Sequence, residues 1–353
     1  MDIIAKIIES AVYAPSGENT QPWRFIVRGD EIKLYNIPER DISPYNWEQK
    51  GSFVSHGAVL RNIEIAAQHF GHNAITRLFP DSKDQNYIAS IVISRQGRSG
   101  ENLFPFITKR CTNRKPYKNS FLDDKSKEFL LNCREEGGNA RFLIISDSEK
   151  IKKLAVAAAE NEKILFDNQK MHGFFFSHIN WTSEDDEKKR LGFFVKTFEL
   201  PRPAEMMFRL FADWKRLEFF KKIKFPVGTI IASANARVYA KASTIGAIVV
   251  PSTTPEDFIS VGKLMQSIWL TATKLGISMQ PLAGITFLRL IAQRKDGVEL
   301  SVSQKQAVLD AYSIIAECFT IADGHIAMMF RIGFADAPTA CALRLPPRLE
   351  RAK

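Results

Sequence analysis

Two short segments hold most of the side chains in this chain that could do chemistry. The first is Ala14-Pro15-Ser16-Gly17-Glu18-Asn19-Thr20-Gln21-Pro22-Trp23, ten residues dense in hydroxyl, carboxamide and small side chains. Such groups suit a planar, hydrogen-bonding ligand and add little to a core. An exposed polar turn is the plainer reading of the same residues. The second is Lys109-Arg110-Cys111-Thr112-Asn113-Arg114-Lys115-Pro116-Tyr117, in which guanidiniums flank a hydroxyl. Arg binds phosphate oxygens through charge-assisted, often bidentate bonds, and Thr adds a short one. A basic turn with no ligand has the same spelling.

The elements that must position these segments are legible around them. An amphipathic stretch (Ile3, Ile4, Ile7, Ile8, Ala11) precedes the first segment, and the strand-like run Arg24-Phe25-Ile26-Val27 follows it. Two helical segments share their punctuation: residues 57–71 and 262–276 both open and close on glycine, 205 positions apart. The second has a clear start in Thr254-Pro255-Glu256-Asp257, with a capping hydroxyl, a first-turn proline and two acids. Arg24-Phe25-Ile26-Val27 is echoed by Arg141-Phe142-Leu143-Ile144, 117 positions later. Repetition of this kind predicts an internal duplication, with extra chain inserted in the second copy.

The insertion is expected where the aromatic residues crowd. Residues 166–225 hold twelve of the 26 phenylalanines, and Met207, Leu210, Phe211, Trp214 and Leu217 recur at helical spacing. A helical lid or interdomain packing ranks first for this segment and a partner-protein surface second. Its basic face (Lys215, Arg216, Lys221, Lys222, Lys224) would also suit an anionic membrane, ranked third.

The bulk composition excludes several classes. Hydrophobic residues make up 45% and charged residues 25%, ordinary for a globular protein. The first residues carry no signal-peptide pattern, and no apolar run approaches the ~20 residues of a membrane span. Cys111, Cys133, Cys318 and Cys341 show no CxxC pairing and the histidines no metal-ligand spacing, so a reduced, cytoplasmic protein without bound metal is expected. The net charge of +10 is spread along the chain without a nucleic-acid-binding motif, so no nucleic-acid partner is expected. No Gly-rich dinucleotide fingerprint is present.

The first segment resembles the flavin-contacting loop of FMN-dependent nitroreductases, and Arg110-Cys111-Thr112-Asn113-Arg114 resembles their Arg-Arg-Ser-x-Arg motif. Gln280-Pro281-Leu282-Ala283-Gly284 is similar to their loop that offers backbone amides to the flavin, and Arg344 to their C-terminal phosphate contact. Arg331 is read equally well as a structural strand residue. The likeness is closest to the fused branch of that superfamily, in which one chain carries both halves.

The resemblance implies an α+β fold, nitroreductase-like, with two related halves forming an intramolecular pseudo-dimer. Each half holds a largely antiparallel sheet, and helices including 57–71 and 255–276 lie at the centre. The halves are expected over residues 1–104 and 105–353, the second bearing the lid-like insertion at about 166–240. It implies one FMN per chain, held by Pro15, Ser16, Asn19 and Gln21 from the first half. Arg110, Thr112, Arg114, Leu282, Ala283, Gly284 and Arg344 come from the second. Arg114 would face the pyrimidine edge, and Cys111 replaces a basic residue of the family motif. The implied activity is hydride transfer from NAD(P)H through the flavin to a small aromatic or conjugated acceptor, such as a nitroaromatic or quinone. The cofactor carries that chemistry, so no catalytic side chain is named. The alternative is an FMN-storing, sequestering or sensing protein whose lid blocks turnover.

Overall fold

The Asp2 carboxylate accepts a hydrogen bond from the Ile4 amide and starts α1 (Ile3–Ala11), which buries Ile4, Ile7, Ile8 and Ala11. The computed structural model describes residues 2–95, 102–134, 138–294 and 300–351. Next comes the hairpin of β1 (Trp23–Arg28) and β2 (Glu31–Asn36), turned by Gly29 at φ 57°. After it run α2 (Lys50–His69), β3 (Asn73–Leu78) and β4 (Tyr87–Ser94). The chain repeats the plan with α3 (Asp124–Leu131) and β5 (Arg141–Ile145). A long excursion follows: α4 (Ser148–Asp167), α5 (Gln169–Ser177), β6 (Ile179–Asn180), α6 (Ser183–Lys189), β7 (Phe193–Phe194), α7 (Arg202–Phe211), α8 (Trp214–Lys222) and α9 (Val227–Tyr239). Then come β8 (Thr244–Val250), α10 (Pro255–Lys274), β9 (Ser278–Pro281), α11 (Gly284–Ala292), α12 (Val302–Cys318), β10 (His325–Gly333) and β11 (Leu349–Arg351).

The two main sheets have one topology. The first is ordered β11-β1-β2-β4-β3 and the second β5-β8-β10-β9. Within each, the four strands of the shared plan pair antiparallel in the same succession. The fold is α+β, built as two related halves that associate as a pseudo-dimer.

α2 and α10 cross at the centre, and the 205-residue offset holds atom by atom. A Cβ on Gly57 would lie 2.0 Å from the Ile259 carbonyl oxygen, and one on Gly262 would lie 1.9 Å from that of Val54. The polar contacts are reciprocal too: Arg61 Nε donates to Ser267 Oγ and Gln266 Nε2 to Asn62 Oδ1, both at 2.8 Å. Only glycine lets the two backbones approach so closely. α2 begins at Lys50, earlier than the glycine spacing predicts, after a left-handed Gln49.

The excursion explains why the sheets differ in composition. β1 alternates, with Trp23, Phe25 and Val27 inward and Arg24 and Arg28 exposed, as expected of a sheet wet on one side. β8 is buried throughout. Its Ile248 and Val250 join the central core, while Ile245, Ala247 and Val249 pack under α4, α9 and α12. The lower bound of 166 expected for the insertion falls inside α4, and the helices between β5 and β8 run from Ser148 to Tyr239. A second departure, α11 and α12 between β9 and β10, left no signal in the repeat.

The C-terminal arm leaves β10 in one sheet and ends as β11, parallel to β1 in the other. It is fastened on the way by a Cys111–Cys341 disulfide, with Cα atoms 5.7 Å apart. This corrects the expectation that all four cysteines are reduced. A pair 230 positions apart leaves no local spacing to read. No helix among the described residues is long and apolar enough to cross a membrane. Cys341→Ser, or reduction of the native protein, is expected to cost about 2–4 kcal/mol. Thermal unfolding with and without a dithiol measures this, and hydrogen exchange should place the first opening in residues 334–351.

Candidate functional site

The 14–23 loop is held in a shape that its sequence would not choose. Glu18, Asn19 and Gln21 all take positive φ, at 49°, 55° and 50°. Non-glycine residues stay there only when their surroundings over-determine them. Here the Gln21 amide donates to Ser16 Oγ at 3.0 Å, and Arg40 donates to the Gln21 carbonyl at 2.9 Å. Two distant segments complete the frame. The Arg190 carbonyl, at the left-handed end of α6, accepts from Asn19 Nδ2 (3.1 Å) and Gln21 Nε2 (2.7 Å). From the C-terminal arm, Arg344 donates to Asn19 Oδ1 (2.8 Å), the Leu345 amide donates to Gln21 Oε1 (2.9 Å), and the Leu343 carbonyl accepts from Asn19 (3.0 Å).

This loop walls one end of a cavity of about 930 Å³ that residues of both halves line. Pro15, Ser16, Asn19, Arg110, Thr112, Arg114, Ala283, Gly284 and Arg344 all border it, as do both disulfide cysteines. Gln21 does not border it; buried, it braces the loop from behind. Leu282 does not border it either. Its side chain packs under α4 and α9, and its amide donates to the Met329 carbonyl at 2.8 Å. The expectation that Leu282 offers its amide to a ligand is therefore corrected: β10 already uses that group. Arg331, the open case, is fully buried and bonds Gln280 at 2.6 Å, so it is a strand residue.

The charges at the polar end are unbalanced. Arg110 is 7% exposed, lies over the Trp269 ring at 4.5 Å and donates to the Tyr13 carbonyl, while its Nε has no partner. Burial lowers its pKa to about 9, and the neighbouring Arg344 cation adds to this. Burial also lowers Arg344 to about 10. No carboxylate pairs with either guanidinium among the described residues. Arg114 also lines the cavity, lies against the Phe193 and Phe198 rings, and donates to the Thr197 carbonyl. Burial lowers it to about 10.

The opposite wall carries groups that the sequence did not flag. Tyr239 donates to Glu162 Oε1 at 2.7 Å, while Glu162 Oε2 is unpartnered, and burial raises this carboxyl to about 7. Tyr45 donates to Asn161 Oδ1 at 2.9 Å. A Cβ at position 284 would meet Asn161 at 2.2 Å, so Gly284 leaves the space that this residue occupies. Glu18, within the loop, is pushed up to about 8 by burial and by Asp41. Glu160-Asn161-Glu162-Lys163 reads as an ordinary helix surface, so no signal marked Glu162. Aromatic and aliphatic side chains of the excursion close the rest, among them Phe166, Phe175, Phe208 and Phe211.

These carboxyls give a stability prediction. A folded-state pKa raised above the unfolded value contributes stability at low pH that is lost as pH rises through the folded value. Glu162 and Glu18 lose theirs progressively from their ordinary value of 4.5 upward, and the loss is complete near pH 7 and 8. Buried His56, lowered to about 3 by desolvation, acts in the opposite sense only below its ordinary value of 6.5. Between pH 6.5 and 8, below the range in which the lowered Arg110 acts in the opposite sense, the ligand-free protein should therefore lose thermal stability. Glu18→Gln should flatten that slope and recover at least ~1 kcal/mol at pH 9, read by calorimetry.

No family model matches the chain. Over 345 residues, 96% of this chain and 46% of the relative, it is 24% identical to an uncharacterized protein of Mycobacterium tuberculosis. Over 118 residues, 33% of this chain and 34% of the relative, it is 28% identical to a "Putative NAD(P)H nitroreductase" of the same organism. The chain thus spans less than half the length of these two curated relatives. Among solved structures it is similar to a nitroreductase with bound FMN from Bacteroides fragilis, at 10% identity, 70% of this chain, 96% of that one and a TM-score of 0.35. It is also similar to an FMN-dependent nitroreductase from Mycobacterium smegmatis in complex with NADPH, at 12%, 65%, 86% and 0.36.

Proposed function

We propose that this chain is an FMN-dependent oxidoreductase that takes reducing equivalents from NADH or NADPH and passes them to an electron-poor acceptor such as a nitroaromatic or quinone. The observation that carries this reading is the pair Arg110 and Arg344: a buried guanidinium with an unpartnered Nε and a half-buried one beside it, next to a strained polar loop, with no carboxylate paired to either among the described residues. A buried cation with a second cation beside it and no counter-ion calls for an anionic ligand. A phosphate on a planar, hydrogen-bonding molecule satisfies both the cations and the loop.

The residues present fit FMN. Arg110, Thr112 and Arg344 would hold its phosphate, and Pro15, Ser16 and Asn19 would contact it from the loop that Gln21 braces. Ala283 and Gly284 would face the ring. On this reading residues 1–104 and 105–353 are the two halves, and one site draws on both. Bound there, FMN supplies two-electron chemistry that protein side chains lack. Arg114 fixes a positive charge inside the aromatic wall. Glu162, whose carboxyl burial raises to about 7, could hold a proton on the cavity wall. The phenylalanines exclude water.

A second reading, an FMN-storing or sensing protein, has one observation in its favour. The Arg190 carbonyl holds Asn19 and Gln21 together, which ties the excursion down over the loop.

Purified protein should carry one FMN, and its absorbance near ~450 nm should bleach on anaerobic addition of NADPH. Absorbance that persists with NADH and NADPH, yet yields to dithionite, would select the storage reading. A protein that refuses added FMN would exclude both.

A further inference from the structure

The apolar surface of the excursion is concentrated where the cavity reaches it. Met206, Met207, Phe219, Ile223, Phe225 and Ile230 fall within 25 positions, and all are 42–67% exposed. Phe219, Phe220 and Phe225 form a chain of ring contacts below 6 Å, which joins α8 to the start of α9. Three of the six, Met207, Phe225 and Ile230, also line the cavity, so the exposed apolar residues reach the aromatic chamber. Isolated exposed apolar residues are normal, but a contiguous patch at a cavity mouth is not.

Cations rim this patch. Arg202, Arg209, Lys215, Arg216, Lys221, Lys222 and Lys224 lie on α7, α8 and the turn after α8, against Glu205, Asp213 and Glu218. All three acids are paired, with Arg209, Arg216 and Lys222 respectively. Arg202, Lys215 and Lys224 form no ion pair among the described residues. The turn Lys222-Ile223-Lys224-Phe225-Pro226 is exposed at every position. Apolar side chains that project between unneutralised cations match the boundary of an anionic bilayer, where acyl chains lie just beneath negative headgroups.

We propose that α7, α8 and the turn into α9 form a docking surface for an anionic lipid bilayer, through which an electron acceptor with a long apolar tail enters the aromatic chamber. The docking stands on this surface alone. The acceptor's reduction rests on the proposed oxidoreductase function: one nicotinamide hydride and one solvent proton reduce the acceptor by two electrons and leave oxidised nicotinamide. The tail would occupy the chamber among Phe175, Met207, Phe208 and Phe225 while the head reaches the polar end. The lipid contact is peripheral.

The test uses the whole chain with vesicles of phosphatidylglycerol and phosphatidylcholine in equal parts, and with phosphatidylcholine alone. At low salt the protein should co-sediment with the anionic vesicles at least ~10-fold more strongly than with the neutral ones. The double variant Phe219→Glu, Ile223→Glu changes two exposed side chains outside the cavity wall, and should lose that binding with its thermal midpoint unchanged. Turnover of menadione, which has no tail, should be unchanged in the variant, while turnover of a vesicle-borne long-tailed naphthoquinone should fall ~10-fold or more.

Absence of binding to anionic vesicles, or a variant that binds as well as the native chain, overturns the docking. A native dimer that the variant dissociates, with no vesicle binding, overturns it in favour of contact between two copies. Equal turnover of tailed and tailless acceptors by native and variant overturns the loading route. Vesicle binding without NAD(P)H oxidation on any acceptor refutes the oxidoreductase reading and leaves the docking in place.

Discussion

Alanine at Gly57 is expected to destabilise the protein by at least ~4 kcal/mol, because it forces apart the two helices on which both halves are built. The added carbon would sit 2.0 Å from the Ile259 carbonyl oxygen and 2.9 Å from the Gly262 Cα, where ordinary contact starts at 3.4 Å. Both obstacles are backbone, so no rotamer change relieves them. α2 and α10 would have to separate by more than 1 Å along a fully buried seam, and the contacts of Val54, Ala58 and Leu264 would be lost together. Gly262→Ala should behave alike, since its carbon meets the Val54 carbonyl at 1.9 Å. Gly173 in α5 provides the control: nothing lies within 4 Å of its added carbon, so alanine there should be neutral or stabilising by about 0.5–1 kcal/mol. Denaturant unfolding of the three variants measures the contrast. A Gly57→Ala protein as stable as the Gly173→Ala protein would mean that the halves do not meet at this crossing.

Arg110→Met is expected to separate two quantities that usually fall together. FMN affinity should drop by about 2–3 kcal/mol, on the order of 30- to 150-fold in Kd, because a charge-assisted phosphate contact is lost. Stability of the ligand-free protein should hold or rise, because an unpaired buried guanidinium is costly and methionine can fill its place over Trp269. The relief of Arg344, whose neighbouring charge contributes to the lowered Arg110 pKa, acts in the same direction. Fluorescence titration with FMN and a thermal melt of the ligand-free variant give the two numbers. If stability falls with affinity, Arg110 is a structural residue and the anion site is elsewhere.

Much of the candidate site was legible before the fold was known. The resemblance of two dense polar segments and one C-terminal arginine to nitroreductase motifs marks Ser16, Asn19, Arg110, Thr112, Arg114 and Arg344, and the structure brings them to one cavity. Their positions relative to one another could not be read. Gln21 stands in the same motif as Asn19, yet turns away to hold the arm through Leu345. Leu282 stands beside Ala283 and Gly284, yet its amide belongs to a strand pair. Whether a side chain faces a ligand or braces its neighbour depends on what lies behind it.

What the sequence determined by itself was periodic or punctuated. Helical spacing, glycine stops and the cap at Thr254 act over a few residues, so they appear in the chain as written, and two copies at a fixed offset expose the duplication. What only the tertiary structure decided joins distant positions. The Cys111–Cys341 bond, the arm of β11 laid beside β1, the burial of β8 on both faces and the raised Glu162 carboxyl all follow from contacts across a hundred residues or more or from enclosure by several elements. Burial and electrostatics are sums over neighbours in space, and a sequence names only neighbours along the chain.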